Sequence, residues 1–299
     1  MIMKKEIFRG VATALITPFT ADGTAVDYPK LESLINWQIE SGINGLVICG
    51  TTGEASTLPD DEHKEVLKFS LDVAKGRVAM IAGTGSNQTD YAIELSKYAC
   101  EIGYDAVLVV TPYYNKTTQN GLVKLFSTIA DACTKPVILY NVPGRTGMTI
   151  STDAYTELAK HPNIYATKEA SGDLSAILKA SAHTADDFTI YSGNDDQILP
   201  ILSVGGKGVI SVLSNILPAE TVAITDAWFA GNIEEATRLQ IKYTPLINAL
   251  FSEVNPIPVK AAAGIAGICE NSVRLPLVTM SEGAEAVLLQ EMRNVGMDV

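Results

Sequence analysis

The sequence predicts an α/β protein, a (β/α)8 TIM barrel followed by a C-terminal three-helix domain. Three observations carry this expectation. About eight strand–helix units of roughly 25 residues each follow one another without a change of period. Their strands are short and continuously apolar, as strands buried on both faces of a parallel sheet are. Beyond residue 231 the alternation stops and three helical patterns remain. A doubly wound open sheet is the competing architecture, but Thr17-Pro18-Phe19 stands after the first strand where a Gly-x-Gly-x-x-Gly fingerprint would be. The expected division is a catalytic barrel over 1–231 and a helical domain over 232–299.

Taken in order, a β-leaning segment over 11–16 ends at Thr17-Pro18, and 28–41 places Leu31, Leu34, Ile35 and Ile39 on one helical face. An apolar run over 45–49 leads into Gly50-Thr-Thr-Gly-Glu54, and a helix with a charged opening follows over 60–75. Strands over 78–82, 106–110 and 137–140 alternate with helices over 89–102, 122–133 and 152–160. A strand over 164–168 ends at Lys168, ahead of a helix over 174–182. Residues 188–191 precede a short helix at 197–203, and the last strand, 209–212, precedes a helix over 219–230. The helical patterns of the tail cover 233–251, 258–268 and 282–294.

Composition narrows the function classes. The 299 residues are 47% hydrophobic, enough for a large core. A net charge of -12 with no basic patch argues against nucleic acid and anionic membranes as partners. Cys49, Cys100, Cys133 and Cys269 lie far apart and form no Cys-x-x-Cys pair, so buried free thiols are expected rather than zinc or redox use. The charged start, Met1 to Arg9, has no apolar leader stretch after it, and no run approaches the roughly 18 apolar residues of a membrane span. A cytoplasmic location is expected.

In a barrel of this type the reactive groups come from the C-terminal strand ends. Those ends read Thr17, Thr51 with Thr52, Thr84, Thr111, Tyr140, Lys168, Ser192 and Ser211. No metal cluster and no Asp/His pair able to activate a serine is among them, so no metal is expected. The set suits covalent amine catalysis, in which a lysine forms an imine with a carbonyl compound. Alone, Lys168 reads first as a surface lysine at a strand–loop junction. Apolar neighbours behind it favour the uncharged, nucleophilic amine instead.

Such chemistry also needs carboxylate donors and a proton carrier. Gly50-Thr51-Thr52-Gly53 offers backbone N–H groups and two hydroxyls in a tight turn, or is an ordinary glycine-rich loop with a threonine cap. Glu54 reads as a residue holding that loop together. Tyr140 can carry protons through its phenol, or bond a backbone carbonyl. Arg145 can clamp a second carboxylate bidentately, or form a surface ion pair. Adjacent Tyr113 and Tyr114 read as packing or a subunit contact. His63, His161 and His183 read as surface or helix-terminus residues, and Asp195-Asp196 as a helix N-terminal cap.

Gly50-Thr-Thr-Gly-Glu54, Tyr140-Asn-Val-Pro-Gly-Arg145-Thr and Lys168-Glu-Ala-Ser-Gly172 resemble the signatures of the dihydrodipicolinate synthase family, pyruvate-dependent class I aldolases of the bacterial lysine pathway. Asn255-Pro-Ile-Pro-Val-Lys260 is similar to that family's C-terminal pattern. The resemblance covers nearly the whole chain in order and spacing. It implies that Lys168 forms an imine with pyruvate and that no separate cofactor is needed. It further implies that Tyr140 relays protons with Thr51 and with Tyr114, the last from a neighbouring subunit. Thr51 and Thr52 would hold the pyruvate carboxylate, Arg145 that of L-aspartate 4-semialdehyde, and Ile210 would line the pyruvate site through its backbone. A homotetramer, a dimer of dimers pairing near Tyr114, is implied as well.

The same fold and lysine serve N-acetylneuraminate lyase and 2-keto-3-deoxy sugar acid aldolases, which generally lack the arginine of the Pro-Gly-Arg-Thr turn. A non-catalytic barrel with a binding role is the rival from another class. In members inhibited by lysine, His and Glu side chains reach an effector cleft near the dimer interface. Asn87, Tyr113 and His63 fit that cleft, but Asp60 stands in place of another His and Tyr91 in place of the Glu. Weak or absent inhibition by lysine is therefore expected.

Overall fold

The expected alternation is realised as a closed barrel. A computed structural model describes residues 4–184 and 187–299, so the first three residues of the segment read for a leader lie outside the described residues. Strand β1 (Gly10–Ala14) is followed by α1 (Tyr28–Glu40), β2 (Gly45–Ile48), α2 (Asp60–Ala74), β3 (Ala79–Gly83) and α3 (Thr89–Ile102). Then come β4 (Ala106–Val110), α4 (Gln119–Asp131), β5 (Val137–Asn141), the short α5 (Pro143–Thr146) and α6 (Thr152–Leu158). Strand β6 (Ile164–Glu169), α7 (Leu174–His183), β7 (Thr189–Ser192), α8 (Ile198–Ser203), β8 (Gly208–Ser211) and α9 (Pro218–Phe229) complete the circuit. Helices α10 (Ile233–Leu250), α11 (Ile257–Ile265) and α12 (Glu282–Asn294) follow it. The eight strands run parallel in sequence order and β1 closes on β8, which excludes the open doubly wound sheet.

Alternation along each strand sorts its side chains into two cores. Ala12, Val47, Ile81, Leu108, Ile138 and Ile210 fill the barrel. Val11, Leu46, Val107 and Leu139 face outward onto helical residues such as Leu34, Leu67 and Phe126. Strand β6 breaks the alternation once. Val137 pairs with Ile164, but the next residue of β5, Ile138, pairs with Ala166, so the register skips Tyr165. That extra residue reverses the phase of everything after it, and Lys168 pairs with Tyr140 rather than with Asn141.

At two element bounds that differ from expectation, a side chain accounts for the difference. Strand β1 stops at Ala14 because the Ile16 N–H is taken by Asn215 Oδ1 at 3.0 Å. Helix α4 starts three residues before its apolar face because Thr118 Oγ1 accepts from Gly121 N at 3.2 Å. The four cysteines are free and buried, as expected. Among the described residues no helix is long and apolar enough to cross a membrane.

Phe8, just before β1, stacks on Tyr191 of β7 with ring centroids 4.1 Å apart. The buried Tyr191 hydroxyl donates to Phe8 O at 2.8 Å and accepts from Phe8 N at 3.2 Å. Removing that hydroxyl leaves a buried carbonyl and a buried N–H without this partner. Tyr191→Phe should therefore destabilise the chain by about 1–3 kcal/mol. A lower urea midpoint at unchanged m-value is the expected reading, and an unmoved midpoint would show the bonds to be dispensable.

Candidate active site

The C-terminal ends of β2, β5 and β6 and the segments after them carry Thr51, Thr52, Tyr140, Arg145 and Lys168. Lys168 is 5% exposed, with Nζ 4.4 Å from the centre of the Tyr140 ring, its cross-strand partner. Gly193, after β7, leaves the space for the lysine stem: a Cβ there would stand 3.1 Å from Lys168 Cε and 2.7 Å from Ala170 Cβ. One residue further along the two strands, Asn141 Nδ2 donates to both Glu169 carboxylate oxygens, at 2.9 and 3.0 Å. Glu169 also accepts from Tyr155 OH at 2.7 Å and from Ser171 N at 3.0 Å. This outward clamp locks the strand ends whose inward residues are Tyr140 and Lys168.

Next to them opens a cleft of about 580 Å³ lined by Thr51, Tyr140 and Arg145 among others. Thr51 is half-buried and Thr52 buried, in a turn bracketed by two strained residues. Cys49 (φ 54°) and Glu54 (φ 55°) both adopt the left-handed conformation that non-glycine residues avoid. A side chain at Gly83 would collide with the Cys49 carbonyl, so that strain depends on a glycine in the neighbouring strand. Such strain persists only where the surroundings over-determine the backbone. Here Thr17 Oγ1 donates to Gly53 O at 2.7 Å, and Glu54 N donates to Thr51 O at 3.1 Å.

Arg145 lies on α5, a segment expected to be loop, and donates from Nη2 to Asn255 O at 2.7 Å. The same Asn255 donates from Nδ2 to Thr52 Oγ1 at 3.0 Å. Its own Oδ1 is buried without a partner. Asn255 thus touches both carboxylate-binding candidates, a role that sequence reasoning missed. The signal available was the Asn-Pro-Ile-Pro-Val-Lys pattern, far from any strand end.

Other expectations fare differently. Ile210 lies on β8 with its side chain in the barrel core. Tyr114 is 94% exposed with φ 66° and does not line its own chain's cleft. His63 is not a surface residue: it is buried in α2, where Nε2 donates to Gly83 O at 3.1 Å, and burial lowers its pKa. His63 and Tyr113 line the cleft together with Asp60 and Tyr91, whereas Asn87 lies outside it and donates to Tyr113 O at 3.3 Å. Asp60 is held below the usual carboxylate range, first by Lys64 at 2.8 Å. Burial and the same Asp60 push Tyr91 up to about 12.

Asp195 does not cap its own helix. It reaches across to the end of β8, where Oδ2 accepts from Val212 N at 2.9 Å and Leu213 N at 3.0 Å. Burial raises its pKa. Several strand-end hydroxyls are committed to the scaffold. Thr17 bonds Gly53, Thr111 bonds Thr146 at 2.9 Å, and Thr84 shares a 2.8 Å bond with Ser96. Among the described residues no three His, Cys, Asp or Glu side chains converge as metal ligands.

The model of the Dihydrodipicolinate synthetase family matches residues 7–294. A curated relative, the 4-hydroxy-tetrahydrodipicolinate synthase of Acetivibrio thermocellus, is 50% identical over 295 residues, covering 99% of this chain and 100% of that protein. Among solved structures, the chloride-inhibited dihydrodipicolinate synthase of Acinetobacter baumannii, complexed with pyruvate, is 42% identical with a TM-score of 0.94, over 98% of this chain and 100% of that one. The Cyanidioschyzon merolae enzyme with lysine bound is 41% identical with a TM-score of 0.95, over 98% of this chain and 100% of that one.

His63 makes a pH test of this cleft. An unfolded histidine titrates near pH 6.5, and burial holds the folded one below that. Between the two values the unfolded chain binds the extra proton. The stabilising effect is therefore complete above about pH 6.5 and is lost as pH falls through the window. Urea unfolding at about pH 7.5 and about pH 5.5 should show a larger loss for the wild type than for His63→Gln. Equal losses would mean that His63 is not the responsible group.

Proposed function

We propose, for a chain that belongs to the dihydrodipicolinate synthetase family, a lyase reaction carried by Lys168. The reaction is that of 4-hydroxy-tetrahydrodipicolinate synthase, the condensation of pyruvate with L-aspartate 4-semialdehyde on the route to diaminopimelate and lysine. The observation that carries the residue assignment is the pairing of a buried Lys168 with Tyr140 beside a cleft that also holds Thr51 and Arg145.

The Lys168 amine adds to the pyruvate carbonyl carbon, and loss of water leaves the imine, so the electron sink is covalent and no separate cofactor is required. The protonated imine acidifies the pyruvate methyl group, and removal of one proton gives an enamine. The enamine carbon attacks the aldehyde of the second substrate, whose oxygen takes up a proton. The amino group of the semialdehyde then adds to the imine carbon, expels the Lys168 amine and closes the ring. Tyr140, in contact with the lysine, is the proton carrier, working with Thr51 and with Tyr114 of a neighbouring copy. Exposure of Tyr114 in a left-handed conformation supports that last role, since a strained, solvent-facing tyrosine gains a burial partner by pairing chains. Thr51 and Thr52 receive the pyruvate carboxylate, with the Ile210 backbone beside it. Arg145, its guanidinium steadied by Asn255, takes the carboxylate of the semialdehyde.

In this reading residues 1–231 are the catalytic barrel and 232–299 a helical domain, and the working form is a cytoplasmic homotetramer. The Asp60, Tyr91, His63 and Tyr113 side of the cleft, with Asn87 alongside, is an effector site with little hold on lysine. The sole carboxylate among these residues, that of Asp60, is already paired with Lys64.

Borohydride reduction with pyruvate should leave a stable mass increase on Lys168, absent from Lys168→Ala. An adduct on another lysine, or none, would remove the assignment. Arg145→Ala should raise the KM for the semialdehyde by about 10- to 100-fold, the worth of a charge-assisted contact, with pyruvate imine formation retained. Turnover of N-acetylneuraminate in place of the semialdehyde would overturn the substrate reading. Inhibition by lysine should require millimolar concentrations or more, and half-maximal inhibition at micromolar lysine would contradict the account of Asp60 and Tyr91.

A further inference from the structure

The catalytic steps make no use of Lys260, a lysine buried to 0% exposure. Lys260 on α11 and Glu54, the residue directly after the Gly50–Gly53 turn, stand 2.6 Å apart with both side chains 0% exposed. Lys260 Nζ donates to Ser272 O at 2.7 Å and lies 3.9 Å from the centre of the Phe19 ring. The second Glu54 oxygen accepts from Arg274 N at 3.0 Å. The Arg274 guanidinium covers the same Phe19 ring at 4.2 Å and forms a bidentate pair with Glu62 of α2. Burial lowers the Lys260 pKa, and the Glu54 charge opposes that shift.

Stability alone does not account for such a pair. Removing two charges from water offsets much of their attraction, and well-packed apolar residues of similar volume are often as stable or more so. What a buried pair supplies is a single permitted geometry, because sliding either charge leaves the other unpaired in a low dielectric. That geometry is imposed on a residue with φ 55°, separated from the two threonines only by Gly53. The same C-terminal stretch holds Thr52 through Asn255 Nδ2 and Arg145 through Asn255 O.

We propose that the Glu54–Lys260 pair is a positioning device for the carboxylate-binding turn, holding Thr51 and Thr52 at the angle that receives the pyruvate carboxylate. The barrel supplies the nucleophile, and the C-terminal helices set the grip on its substrate. The inference rests on the reading that Thr51 and Thr52 bind that carboxylate.

The test is a double substitution, Glu54→Gln with Lys260→Met, which removes both charges and keeps the volume. Thermal unfolding and circular dichroism verify that it folds. The expected result is a pyruvate KM raised by about tenfold, with the KM for the semialdehyde within about twofold of wild type. A folded double variant with the wild-type pyruvate KM overturns the proposal, as does an equal rise in both KM values. If the double variant does not fold, Glu54→Gln alone, which is isosteric, carries the test with the same two outcomes. Thr52→Val serves as the reference. If it leaves the pyruvate KM unchanged, the carboxylate reading itself fails. If it raises that KM while the pair variant does not, the positioning role alone is refuted.

Discussion

Everything at the site depends on one extra residue in β6. Up to Ile164 the strand is in phase with β5, outward opposite outward. Skipping Tyr165 turns the next residues over, so that Ala166 and Lys168 face inward and Thr167 and Glu169 outward. Without the skip, Asn141 would oppose Lys168, and the amine would point at the helices instead of into the barrel. The bulge thereby delivers the amine to Tyr140 and the carboxylate of Glu169 to Asn141. Among the described residues Glu169 accepts from neutral donors, and Tyr155 OH ties the strand ends to α6.

A second constraint comes from outside the barrel. The turn after β2 carries strain at both of its flanks, and its contacts reach two distant parts of the chain. Thr17, after β1, holds Gly53 O. Asn255, Lys260 and Arg274, all beyond the last barrel strand, hold Thr52 and Glu54. Backbone in a left-handed conformation at Cys49 and Glu54 costs of order 1–3 kcal/mol per residue. Contacts of this sequence separation are what keep it there. The helices after the barrel are therefore part of how the site is shaped.

Electrostatics on the remaining side of the cleft follow from burial and pairing. Asp60 is occupied by Lys64, and His63 donates to Gly83 O. Tyr91 keeps its proton because burial and Asp60 both disfavour a phenolate. The result is a polar wall with little free charge of either sign, in the cleft that Arg145 also lines. Against an overall charge of -12, Arg145 is a local positive group in a negative field.

The eight-fold alternation, the parallel strands and the strand-end positions of Lys168 and Tyr140 were legible in the sequence, because burial on both faces imposes continuous apolar runs. The three signature stretches were legible too, since each is contiguous. The inward direction of Lys168 was not, because a skipped partner leaves no trace in composition or period. Nor were the buried setting of His63, the reach of Asp195 to the end of β8, or the grip of Asn255 and Lys260 on the turn after β2. Hydrophobic periodicity is a local property and is written along the chain. Register, non-local capping and buried ion pairs depend on which segments closure of the barrel brings together, and only the tertiary structure decides that.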